Sequence, residues 1–86
     1  MILGNIHESD RGRRVRMVAG STHRRFPAGW NGDWDNVGWL DPQPGLAGTV
    51  AGVESHGSNP WTRYGVRFDD GSYAAGLCLG TDIAFI

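Results

Sequence analysis

The stretch Thr62-Arg63-Tyr64-Gly65-Val66-Arg67-Phe68-Asp69-Asp70-Gly71-Ser72-Tyr73 decides the fold class. Tyr64, Val66 and Phe68 share one parity; Arg63, Gly65 and Arg67 share the other. Successive side chains of a strand point to opposite faces, so this spacing is that of a strand buried on one side. Asp69-Asp70-Gly71-Ser72 then reads as a hairpin turn, because Asp-Gly supplies the positive φ that tight hairpins require. Tyr73 begins the returning strand.

The same period recurs on either side. In Arg13-Arg14-Val15-Arg16-Met17-Val18, Val15 and Met17 alternate with Arg14 and Arg16, and Gly12 and Gly20 punctuate the ends. Residues 46–53, Leu46-Ala47-Gly48-Thr49-Val50-Ala51-Gly52-Val53, form a second strand. Val50 and Val53 differ in parity, so a bulge near Gly52 is expected, which lets both face inward. Residues 54–61 are a polar turn, and Ile83-Ala84-Phe85-Ile86 is a closing strand held in the sheet to its last residue. No stretch has helical spacing. Five short strands leave edges and a bare apolar face unless they close, so the expected architecture is all-β, a small five-stranded barrel in a single domain over residues 1–86.

One connection is unlike the rest. Residues 21–45, inserted between the first two core strands, contain Pro27, Pro42, Pro44 and several glycines, interrupted by Trp30, Trp34 and Trp39. A loop this long inside a small domain is often functional. Three indoles in it predict that some rings bury and that the loop packs as a lid.

The order and spacing of Gly12-x-x-Val15-x-Met17-Val18, then the loop, then Gly45-x-x-Gly48-Thr49-Val50, then Tyr64-x-Val66-Arg67-Phe68-Asp69-x-Gly71-Ser72, cover nearly the whole chain. This layout resembles the Mind-bomb-type SH3-like domain and, more loosely, Tudor and KOW modules. The resemblance implies an SH3-like barrel that binds peptide segments or nucleic acid and performs no chemistry.

Composition fits a folded chain: 86 residues, 40% hydrophobic and 20% charged. The 8 basic and 9 acidic side chains give a formal net charge of -1, which by itself selects neither nucleic acid nor membrane. The charge is polarised: residues 1–30 hold six Arg and two acids, whereas residues 31–86 hold Arg63 and Arg67 against seven acids. Every cation is Arg, a coding bias expected of a GC-rich bacterium or its bacteriophage. The single cysteine, Cys78, excludes an internal disulfide and fits a reducing compartment. The opening residues lack a basic-then-apolar leader pattern and no apolar run is long enough to span a bilayer, so a cytoplasmic protein without a membrane partner is expected.

Catalytic and metal motifs are poor. Asn31-Gly32-Asp33-Trp34-Asp35-Asn36 alternates oxygen ligands, but no frame completes a calcium loop: from Asn31 the sixth and twelfth positions are Asn36 and Pro42, and from Asp33 Gly38 fits the sixth but Pro44 stands at the twelfth; Asn and Asp here suit turns closed on their own backbone. His7, His23, His56 and Cys78 include no closely spaced pair, so no zinc is expected. Glu54-Ser55-His56 places its side chains on opposite faces of an extended chain, and Cys78 between Leu77 and Leu79 reads as an inert strand residue. The expectation is a non-catalytic module with no cofactor and no metal.

The functional candidates are aromatic. Trp30, Trp34, Trp39 and Trp61, with Asp33 and Asp35, form the candidate protein-binding set, since interface hot spots favour Trp, Tyr and Arg. Trp34, flanked by two acids, is the best exposed candidate and suits an Arg- or Lys-bearing partner segment. The alternative is nucleic-acid binding through Arg13, Arg14, Arg16, Arg24 and Arg25, where arginines beside rings track a phosphate backbone. A third reading is self-assembly, with exposed rings burying against copies of the same chain.

Overall fold

The computed structural model describes residues 8–54 and 62–86, which leaves Trp61, Ser55 and His56 outside the described residues. A short 3-10 turn, Glu8–Asp10, precedes five strands: β1 Arg14–Met17, β2 Ala47–Glu54, β3 Arg63–Phe68, β4 Tyr73–Leu77 and β5 Ile83–Phe85. They form one antiparallel sheet in the order β4-β3-β2-β1-β5. The all-β, five-stranded expectation holds. Closure does not: β4 and β5 are the two ends of the sheet rather than partners. Two features keep them apart. β5 has only three residues, and the free edge of β4 is taken by Phe26, which exchanges both backbone hydrogen bonds with Tyr73 at 2.7 and 3.0 Å.

The alternation read from the sequence becomes the core. Val15, Met17, Val50, Val66, Phe68 and Leu77 are fully buried on one face, while Arg14, Arg16 and Arg67 stand on the other. Burying a ring such as Phe68 contributes roughly 2–3 kcal/mol. The bulge lies where the valine parities require it: Val50 pairs with Val66 and Val53 with Tyr64, with the register shifting between Val50 and Gly52. Phe68 and Ser72 close the β3–β4 hairpin, with Gly71 at φ +88° supplying the left-handed residue. Gly48 is required for a different reason: a Cβ there would lie 2.7 Å from the Arg67 carbonyl oxygen and 2.9 Å from the Phe68 Cα. β2 and β3 approach this closely only because Gly48 has no side chain.

Buried polar groups tie the ends of the sheet to the loops. Asp82 accepts from Ser21 Oγ at 2.8 Å and from the Cys78 amide at 2.9 Å, joining the start of the long connection to the β4–β5 turn. Cys78 lies just beyond β4 rather than in a strand, and its carbonyl accepts from the Asp82 amide. Tyr64 OH donates to Asp10 at 2.8 Å, and its burial, followed by that hydrogen bond, pushes its pKa up to about 12. The backbone amide of Ile86 donates to the Arg14 carbonyl at 3.1 Å, so the last residue is held in the sheet as expected.

Candidate functional site

The long connection is built around Arg25 and Phe26. Arg25 exchanges backbone hydrogen bonds with Leu40 at 3.0 and 2.9 Å, and Phe26 exchanges its own with Tyr73. Two adjacent residues thus bridge in opposite directions and fasten both limbs of the loop to the edge of β4. The Arg25 side chain, only 6% exposed, reinforces the joint. Its Nη1 donates to Asp70 and to Ser72 Oγ, both at 2.8 Å, and its Nη2 donates to the Asp41 carbonyl at 2.9 Å. Hydrogen bonds from Ser72, then from Arg25, hold the Asp70 carboxyl below the usual carboxylate range.

This joint aims the aromatic residues outward. Phe26 lies at the centre, its ring 4.4 Å from that of Trp30, 4.4 Å from that of Trp39 and 5.5 Å from that of Trp34. Trp30 and Trp34 meet edge-to-face at 4.8 Å. Such ring pairs contribute on the order of 1 kcal/mol each beyond area burial, so the loop holds its own shape. Trp34 nevertheless remains 69% exposed and Trp39 43% exposed, whereas Trp30 is half-buried and donates Nε1 to the Asp33 carbonyl at 3.1 Å. The expected split between packed and exposed indoles is present, and Trp34 is the more exposed of the two.

The acids of the loop divide as well. Asn31 Oδ1 accepts the Asp33 amide at 2.9 Å; Asp33 Oδ1 accepts the Asp35 amide at 3.0 Å, and its Oδ2 accepts from Asn36 Nδ2 at 3.1 Å. The bond from Asn36, then that from the Asp35 amide, holds the Asp33 carboxyl below its ordinary range. Both acids are exposed; Asp33 shapes the turn that presents Trp34, and Asp35 follows Trp34 in the chain. No group of three or more His, Cys, Asp or Glu among the described residues could hold a metal ion. No helix there is long and apolar enough to cross a membrane.

Phe26, Trp30, Trp34, Tyr73 and Arg67 wall a surface depression of about 440 Å³. The Arg67 guanidinium lies 5.0 Å from the centre of the Tyr73 ring and donates to the Gly71 carbonyl at 3.1 Å. Phe26, Tyr73 and Arg67 were not among the sequence candidates. A signal existed for Tyr73 and Arg67: the hairpin pairs them directly, so an outward Arg67 fixes an outward Tyr73. Phe26 had no such signal, because its partner Tyr73 lies far along the chain.

The arginines that the sequence groups together are separated in space. Arg25 is buried. Arg14 forms a two-pronged pair with Asp69 at 2.8 and 2.6 Å, which lowers the Asp69 pKa and raises that of Arg14. Arg13 stacks 3.6 Å from the centre of the Phe85 ring and reaches Asp10 at 3.5 Å. Arg16 and Arg24 are exposed and carry no partner among the described residues.

Neither protein-family models, nor curated proteins, nor solved structures contain a match to this chain.

Proposed function

We propose that this protein is a non-catalytic binding module that recognises a segment of a partner protein through its Trp/Asp-rich loop. The observation that carries the reading is Trp34, a large apolar ring left 69% exposed by a loop that Arg25, Phe26 and Asp33 fasten in place. A scaffold that leaves its largest side chain in water, rigidly aimed, meets the requirement for an interface anchor. The carboxylates support a non-catalytic role, since Asp10, Asp33, Asp70 and Asp82 each hold a neighbouring side chain or backbone amide in place. The strand order, a meander whose last strand returns beside the first, supports kinship with SH3-like modules. The lone cysteine and arginine-only basic set support a cytoplasmic protein of a GC-rich bacterium or its bacteriophage. The test is replacement of Trp34. Trp34→Ala keeps the fold and weakens capture of a selected peptide by about 2 kcal/mol. Unchanged affinity in a folded variant refutes the role of the loop.

Nucleic-acid binding is the second reading, favoured by exposed Arg16 and Arg24 and by Arg67 beside stacked rings. It requires affinity for single-stranded oligonucleotides that falls steeply with salt and is lost in Arg16→Ala/Arg24→Ala. Self-assembly is favoured by exposed Leu79 and Ile86 in addition to Trp34 and Trp39; a strict monomer by light scattering at high concentration removes it.

A further inference from the structure

We propose that the ligand is an extended acidic protein segment lying across Tyr73, with an apolar side chain in the aromatic depression and a carboxylate on Arg67. This rests on the protein-segment reading above and specifies the chemistry and path of that segment; it replaces the Arg- or Lys-bearing segment expected from the acids beside Trp34, because among the described residues the depression's wall carries Arg67 and no acid, and Asp33 is bound to its own loop. The aromatic depression is not isolated. A second one of about 250 Å³ lies on the other side of Tyr73, over Gly52, Gly65, Ala75 and Gly76. Tyr73 is the wall that the two share, so a segment lying across it reaches from the loop onto the outer face of β2, β3 and β4.

The glycines make the second depression. A Cβ at Gly65 would collide with the Tyr73 hydroxyl, so the tyrosine lies flat across β3 only because position 65 is bare. A Cβ at Gly52 would meet no atom within 4 Å and would project into open space. In an extended segment, residues i and i+2 point the same way about 7 Å apart, so one strand-like stretch can place side chains on both sides of a single ring.

Charge selects the ligand's sign. Among the described residues Arg67 is the one cation lining the aromatic depression, and beyond its bond to Gly71 its N–H groups have no partner there; the second depression adds Arg11 and Arg63 against Glu54. A guanidinium held over a ring keeps its fork free for a carboxylate. A phosphate would fit that fork equally well. However, Asp33 and Asp35 stand in the same loop as exposed carboxylates, whereas Asp69 and Asp70 are already paired with Arg14 and Arg25. Densely spaced phosphates would meet Asp33 and Asp35, whereas a segment with one or two carboxylates satisfies Arg67 and avoids them.

The test uses the full chain to select from a phage-displayed library of random linear peptides. The selected sequences are expected to place Asp or Glu close to an aromatic or large aliphatic residue. A labelled consensus peptide is then titrated against wild type, Trp34→Ala, Arg67→Glu, Gly52→Leu and Ala75→Leu. Arg67→Glu should weaken binding roughly tenfold or more, with recovery when the acid of the peptide is replaced by lysine. Gly52→Leu and Ala75→Leu, which fill the second depression from two strands, should each weaken it to a similar extent with the thermal transition preserved; either folded variant suffices. Selection of basic peptides overturns the proposal. So does wild-type affinity in Arg67→Glu and the filled variants: if Trp34→Ala alone then fails, the loop still binds protein and only the path across Tyr73 is lost. Failure to select any peptide overturns both readings, and tight binding of oligo(dT) then favours the nucleic-acid one.

Discussion

The β3–β4 hairpin and the long connection between β1 and β2 both organise aromatic rings, but by different means. In the hairpin, parity decides: Tyr64, Val66 and Phe68 turn inward, and the ladder hydrogen bonds follow. In the connection there is almost no ladder. A buried arginine fork, two isolated bridges, side-chain-closed turns at Asn31 and Asp33, and ring-on-ring contacts do the same work. The hairpin hides its largest apolar rings from water, whereas the connection holds Trp34 and Trp39 against it. A ladder satisfies the backbone on its own, which frees side chains to pack inward. A loop must use side chains to satisfy its backbone, and those with no such task face solvent and remain available for recognition.

The contrast can be broken from the sheet side. Gly48→Ala forces a methyl against backbone atoms of β3 that cannot move aside, and is expected to destabilise the protein by roughly 3 kcal/mol, read as a drop in the chemical denaturation midpoint. Gly52→Ala in the same strand adds a methyl to open space and should leave the midpoint nearly unchanged.

From the loop side, Arg25→Ala removes the fork from Asp70, Ser72 and the Asp41 carbonyl. Because the Asp70 side chain stays 41% exposed and re-solvates, the expected loss is about 2 kcal/mol rather than that of a fully buried pair. Its signature is separate from that of Gly48→Ala: tryptophan fluorescence should shift before the sheet melts, because the rings are released while the core remains.

Titration gives a finer test. Tyr64 keeps its proton to about 12 in the folded protein, against 10.0 for the free group. Across that window the unfolded chain has lost the proton and the folded one has not, so stability is full below it and declines as pH rises through it. Tyr64→Phe should flatten that alkaline limb. Asp70 runs the opposite way: its lowered value means stability present above the ordinary carboxylate range and lost as pH falls through the folded value. Asp70→Asn should blunt that acid limb. Trp34→Ala should cost only about 1 kcal/mol of stability, because the ring is largely in water and meets Phe26 and Trp30 edge-on, even as ligand binding falls.

Much of the sheet was legible because its signals are local. The bulge near Gly52 follows from two valines of opposite parity, and the turn at Gly71 follows from Asp-Gly chemistry. Trp34 was legible as an exposed ring from its acidic neighbours. The role of Arg25 was not, since a surface cation and a buried fork look the same in sequence until Asp70 and Asp41 arrive beside it. Sheet closure was likewise misjudged, because the residue that covers the edge of β4 comes from the loop and not from a strand.

The sequence by itself determined which residues alternate, where the chain must turn, and that three indoles share one irregular segment. Only the tertiary structure decided that Phe26 would dock on Tyr73, that Arg25 would leave the surface, and that Arg67 would stand beside the indoles. The physical reason is range. Strand parity and turn conformation are set within a few residues, whereas the site is assembled by backbone pairing and charge between segments some forty-five residues apart, as in Arg25 and Asp70.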